Sequence, residues 1–145
     1  MVVDANPDAL KLASELGAQH TVVADGSQRQ AVADLTGGRG AHVVLDFVVE
    51  QGAEADGWAM TRRAGSNFVI GYGGTVHIPT LDIISTERNI IGNIVGTYID
   101  LAELMALAQA GEVTLPTRVY PLGAAADAFA DLDAGRVRGR AILVP

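Results

Sequence analysis

Few side chains in this sequence are equipped for chemistry, and their positions say more than their number. Asp4 closes the run Met1-Val2-Val3-Asp4, and after Ala5 comes Asn6-Pro7-Asp8. A carboxylate at a strand tip, just before the next helix, can accept from the hydroxyls of an adenosine ribose and repel a 2′-phosphate. It can equally cap the helix behind it. Asp46 sits at the end of a second apolar run, Val43-Val44-Leu45-Asp46-Phe47, and carries a similar pair of readings: an acid that orients a ligand, or an acceptor for backbone amides. Gly71-Tyr72-Gly73-Gly74 follows a third run, Asn67-Phe68-Val69-Ile70. No helix pattern comes next, so this is not a phosphate-binding GxGxxG turn. Glycines at a strand's carboxyl end do let a flat ring approach the backbone.

Other features read as structure. Gly37-Gly38-Arg39-Gly40 follows a helix and precedes a strand, the reverse of a phosphate loop, and marks a helix stop and a turn. His20, His42 and His77 are isolated and show no metal-ligand spacing. Trp58 reads as packing. Cysteine is absent, which removes disulfides, a thiolate nucleophile and Cys-ligated zinc from this chain. In the tail Arg136-Val137-Arg138-Gly139-Arg140, one guanidinium could clamp a phosphate bidentately, or the segment is a solvated turn.

These residues need elements to hold them, and the composition sets the kind. The chain has 145 residues, 49% hydrophobic but only 5% aromatic, so its core is aliphatic. Short runs of Val, Ile, Leu and Ala suit buried parallel strands in an α/β protein. The net charge of −7, without a block of Lys or Arg, argues against nucleic acid as a partner. No apolar run approaches the roughly 20 residues of a membrane span. With an acid at position 4 and no basic stretch before it, a signal peptide is not expected, and a cytoplasmic location is.

Along the chain, a helix over Ala9–Leu16 stops at Gly17, and His20–Val23 is a short strand. Ala31, Val32 and Leu35 mark a second helix by their spacing. Strand Val43–Phe47 follows, then a helix-compatible stretch from Ala53 to Arg63, then strand Asn67–Ile70. Val76–Ile84 reads as extended, interrupted by Pro79, and Ile90–Thr97 as another strand. Alternating strands and helices indicate right-handed βαβ units and a parallel sheet. Asp100 is the expected N-cap of a further helix, with Glu103 completing a box and Leu101, Leu104, Met105 and Ala108 forming its apolar stripe. A last helix after Pro121, with Ala125, Ala128, Phe129 and Leu132, and a strand over Arg140–Val144 complete the chain.

Several ordered segments resemble the medium-chain dehydrogenases, in particular the zinc-type, NAD-dependent alcohol dehydrogenases. Val3-Asp4, Lys11-Leu12-Ala13 and Leu16-Gly17-Ala18 resemble that family's second strand and the helix behind it. Leu35 to Val48 resembles the approach to its fourth strand. Gly71-Tyr72-Gly73-Gly74, Ile94-Val95-Gly96-Thr97 and Ala134 to Ala141 match in order and spacing. The resemblance implies a Rossmann-like, doubly wound, mostly parallel sheet that lacks its first strand, plus C-terminal helices and a strand. Residues 1–96 would be an incomplete NAD-binding domain, and 97–145 would pack on the catalytic domain.

On the matching positions, Asp4 would bind the ribose with help from Lys11, and Phe47 and Val48 would line the nicotinamide pocket. Backbone groups of Ile70, Asn93 and Val95, beside Gly71, would hold the carboxamide, and Arg140 would reach a pyrophosphate oxygen. The cofactor implied is NAD. Zinc belongs to the family, but its ligands are not in this sequence. A homodimer through edge strands near 89–95 is the implied assembly. The implied reaction is hydride transfer between a small alcohol and nicotinamide, with little turnover expected from this chain alone.

Two departures stand out. The family's first strand and Gly-rich turn are not represented, which leaves a gap between its second and fourth strands. Val49-Glu50-Gln51 also stands where the family has a glycine beside the nicotinamide. The rival readings are a non-catalytic dimerisation domain and a zinc-free quinone or enoyl reductase.

Overall fold

A computed structural model describes residues 1–145. The chain divides into two compact units, Met1–Val95 and Gly96–Pro145.

The first unit opens with β1 (Val2–Asp4), α1 (Pro7–Glu15) and β2 (Thr21–Val23), with β1 and β2 paired in parallel. Proline at the first turn of α1 loses no helical hydrogen bond, and the Asn6 side chain caps the helix by accepting from Asp8 N–H at 2.9 Å. α2 (Gln28–Leu35) follows. Leu10, Val22 and Val32 are buried from α1, β2 and α2. Burying each aliphatic side chain contributes about 1.5–3 kcal/mol.

β3 (Ala41–Asp46), α3 (Ala53–Met60), β4 (Thr61–Val69), α4 (Thr80–Thr86) and β5 (Asn89–Gly92) build a separate sheet in the order β3-β4-β5, again all parallel. β1 pairs only with β2, and β3 only with β4, so the parallel order is interrupted between β1 and β3. β1 and β3, which the resemblance would separate by one strand, are thus not hydrogen-bonded to each other. The two sheets are linked through their helices: Asp56 on α3 accepts from Arg29 Nε at 2.5 Å and from the Gln28 side chain, both on α2.

The second unit contains α5 (Tyr98–Gln109), β6 (Thr117–Pro121), a 3-10 turn at Leu122–Ala124, α6 (Ala125–Asp133) and β7 (Arg140–Val144). β6 and β7 pair in parallel around α6, another βαβ unit. Asp131 on α6 ties this unit together. It accepts from Tyr120 Oη at 2.9 Å, from Arg136 at 2.7 and 2.9 Å, and meets Arg118 at 3.0 Å.

Four expectations are corrected. Residues 80–84, the end of the run expected to be extended, instead belong to α4 (Thr80–Thr86), with Pro79 at its N-cap and Asp82 in its first turn. β4 begins at Thr61 rather than Asn67 and carries an irregularity, because its register to β3 shifts between Ala41 and Val43. β5 stops at Gly92, so 94–97 are not strand. α5 starts three residues early: Thr97 is its N-cap and Asp100 the third helical residue, in a reciprocal capping box. β6 was not anticipated at all.

Candidate functional site

In parallel α/β sheets, ligands approach the loops that leave the carboxyl ends of the strands. Here the loops after β3 and β4 are bound into one backbone surface, and Asp46 is its centre. Asp46 is buried at the last position of β3. Its Oδ1 accepts from the N–H groups of Val48 and Val49, both at 3.0 Å. Its carbonyl oxygen accepts from Ile70 N–H at 2.9 Å and Gly71 N–H at 3.0 Å. Gly74 N–H donates to Val49 O at 2.7 Å, closing the far end. Only glycine allows this approach, since a Cβ on Gly71 would stand 2.4 Å from Phe47 O.

The seam leaves apolar side chains uncovered. Phe47 is 68% exposed and Val48 54%. Val49 turns inward, 4% exposed, at a φ of +52°. That left-handed backbone is unusual for a β-branched residue and is held from both sides, by Asp46 Oδ1 on its N–H and by Gly74 on its carbonyl. At the next strand, Asn93 N–H donates to Val69 O at 2.9 Å, placing Asn93 beside Ile70. Phe47, Val48, Ile70, Gly71 and Asn93 are thus brought onto one sheet end. Val95, at φ +42°, lies a little further on and is almost fully exposed.

The remaining candidates lie elsewhere. Asp4 ends β1, and its Oδ1 accepts from Asn6 N–H at 2.7 Å, so at least one oxygen stiffens the turn into α1. Lys11 is exposed on α1. Arg140 begins β7 in the second unit, where its N–H donates to Pro116 O at 3.0 Å. No three His, Asp or Glu side chains converge in a way that would hold a metal ion. Trp58 packs as expected, with the Arg88 guanidinium 5.1 Å from its ring centre.

Sequence reasoning overlooked Asn67, which is 1% exposed on β4. Asp46 Oδ2 and Asn67 Oδ1 converge beside Gly57, 3.5 and 3.6 Å from where a Cβ there would sit, and neither has a protein partner. The available signal was one polar residue opening an otherwise apolar strand.

With this geometry in hand, comparison with known proteins is informative. Residues 1–110 match the zinc-binding dehydrogenase family. An NAD-dependent alcohol dehydrogenase from Sulfolobus acidocaldarius is 32% identical over 144 residues, covering 97% of this chain and 41% of that protein. An alcohol dehydrogenase from Geobacillus stearothermophilus is 32% identical over 145 residues, covering 99% and 42%. The crystal structure of the alcohol dehydrogenase from Aeropyrum pernix superposes with a TM-score of 0.91 at 37% identity, covering 99% of this chain and 42% of that one. The chain therefore spans about two fifths of the length of the relatives it matches.

Proposed function

Because the chain belongs to the zinc-binding dehydrogenase family, we propose that it is the NAD-binding portion of an alcohol dehydrogenase that moves a hydride between a small alcohol and nicotinamide. The observation that carries the reading is the glycine-tight seam between the β3 and β4 loops, with Phe47 and Val48 exposed beside it. A flat, weakly polar ring fits such a surface, because backbone lies close and apolar side chains flank it.

The residues present fit the cofactor in a specific way. The N–H groups of Ile70 and Asn93 are committed to Asp46 O and Val69 O. What those two residues offer a carboxamide is their carbonyl oxygens, which suit its NH2 donors, while Val95 N–H is the donor available for its oxygen. Asp4 would accept from the ribose hydroxyls with whatever capacity Asn6 leaves, and Lys11 would add positive charge nearby. NAD, when bound, supplies the hydride acceptor; the protein orients it. The donor set does not fit zinc within this chain, since cysteine is absent and no acidic or histidine triad converges. The isolated chain is expected to turn over little or no alcohol.

The assembly that fits is a homodimer through the free edge of β5, where Ile90, Ile91, Ile94 and Val95 are exposed. A cytoplasmic setting suits an NAD-linked reaction, and no helix here is long and apolar enough to cross a membrane.

Calorimetric titration of the 145-residue chain with NAD and NADP tests the reading. NAD is expected to bind more tightly, because a carboxylate at position 4 repels a 2′-phosphate. Asp4→Ala should shrink that preference about tenfold, or ~1.4 kcal/mol. Preference for NADP would reverse the choice in favour of a quinone or enoyl reductase, and no binding by a stable dimer would favour a non-catalytic domain. Alcohol-dependent NADH production by the chain alone would refute the predicted lack of turnover.

A further inference from the structure

We propose that Asp46 is a positioning residue that fixes the nicotinamide end of the cofactor site without touching the cofactor; this rests on the NAD-binding reading above. Its two acceptors serve different loops. The carboxylate Oδ1 gathers Val48 and Val49, while the carbonyl oxygen gathers Ile70 and Gly71. One buried residue thereby sets the separation of the two backbone segments that flank the exposed Phe47 and Val48 side chains. Backbone carbonyl contacts from a main strand would exist without any acid. The carboxylate's part is distinct: it captures two consecutive N–H groups that no other group accepts, and so holds Val49 in a backbone conformation that β-branched residues avoid.

Removing the carboxylate frees the 47–49 loop while leaving β3–β4 pairing in place, because that pairing uses main-chain groups. The predicted loss is confined to one half of the ligand. Asn at position 46 preserves an acceptor at Oδ1. It also places a donor at the Oδ2 position, on the same space as the unpartnered Asn67 Oδ1, so it creates no new orphaned acceptor.

The experiment compares NAD with ADP-ribose, which lacks the nicotinamide, on the unaltered chain, Asp46→Ala and Asp46→Asn. Asp46→Ala is expected to weaken NAD about tenfold or more while changing ADP-ribose less than about twofold, and Asp46→Asn to return NAD to within about threefold. Equal loss for both ligands, no loss for NAD, or an Asn variant no better than Ala would overturn the assignment. Amide hydrogen exchange supplies a reading that needs no ligand. Val48 and Val49 N–H should be protected in the unaltered chain and in Asp46→Asn, and exposed in Asp46→Ala if that variant folds. Free exchange of both amides in the unaltered chain would show that the anchor does not form. A chain that binds neither NAD nor ADP-ribose would sink the cofactor reading, and the exchange result would still decide the anchor.

Discussion

At the scale of single residues, the structure turns an oddity of the sequence into a measurable inversion. Val49, where the resemblance implies a glycine, adopts a glycine-like φ of +52° while burying its side chain. Strain of this kind costs of order 1–3 kcal/mol, and burial of an isopropyl group returns about 1.5–3 kcal/mol. In an ordinary core strand, Val→Gly is worse than Val→Ala by roughly 0.5–1 kcal/mol, since glycine adds backbone entropy to the unfolded state. Here Val49→Ala loses the packing and keeps the strain, whereas Val49→Gly loses the packing and relieves it. Denaturant unfolding should find Val49→Gly at least as stable as Val49→Ala; the usual order would mean that the loop relaxes around any side chain. Asp46 was legible as an acid at a strand end, but not which of its two readings applied. The neighbouring residues that decide it, Val48 and Val49 N–H, become acceptor-seeking only once the chain turns. Asp4 shows the same ambiguity, partly resolved by its bond to Asn6.

At the scale of elements, the sequence carried most of the βαβ rhythm and lost it where local signals conflicted. In the sequence Pro79 looks like an interruption of an extended run, yet proline costs nothing at the entry to a helix, and Asp82 in the first turn is a signal for one. Thr97 was absorbed into the preceding strand, which pushed the cap of α5 to Asp100, although Thr97 and Asp100 have the spacing of a capping box. Thr117-Arg118-Val119-Tyr120, the missed strand β6, alternates weakly, and its partner β7 lies far along the chain. Asp131 on α6 adds polar contacts to β6 and to Arg136 beside the main-chain pairing of β6 with β7. The Arg136 guanidinium, and after it the Tyr120 hydroxyl, hold the Asp131 carboxyl below its usual range. Burial, and after it the bond to Asp131, raises the Tyr120 hydroxyl above its usual value. A depressed carboxyl stabilises the fold above the unfolded value of about 4 and loses that effect as pH falls through the folded one; a raised phenol acts in the opposite sense above about 10. Thermal melts should therefore show a plateau between these limits. Asp131→Asn should lower the melting temperature at neutral pH and flatten the acid arm; an unchanged acid slope would place the sensitivity elsewhere, for example at Asp25 or Asp100, whose carboxyls are also held low.

At the scale of the whole molecule, composition promised more core than the fold assembles. Nearly half of the residues are hydrophobic, yet the buried apolar set is Leu10, Val22, Val32, Val49, Tyr120 and Ala128. The accessible surface is 10095 Å² for 15.0 kDa. Large apolar side chains remain exposed: Val43 and Leu45 on β3, and Ile99, Leu101, Leu104, Met105 and Leu107 on α5. Periodicity suggests which side chains seek burial but not what covers them: Leu101, Leu104, Met105 and Ala108, expected as one apolar stripe, lie on α5, and all four are exposed. Such a surface has a consequence in solution. At tens of micromolar the chain should sediment above 15.0 kDa and enhance the fluorescence of a hydrophobic dye. Ile91→Lys puts a charge on the free β5 edge, an established deterrent to edge pairing. It is expected to return the mass to that of a single chain while dye binding persists, because the faces of β3 and α5 remain uncovered. A monomer that binds no dye would contradict the surface argument. A variant that keeps the higher mass would move the interface away from β5, with the apolar face of α5 the next surface to charge.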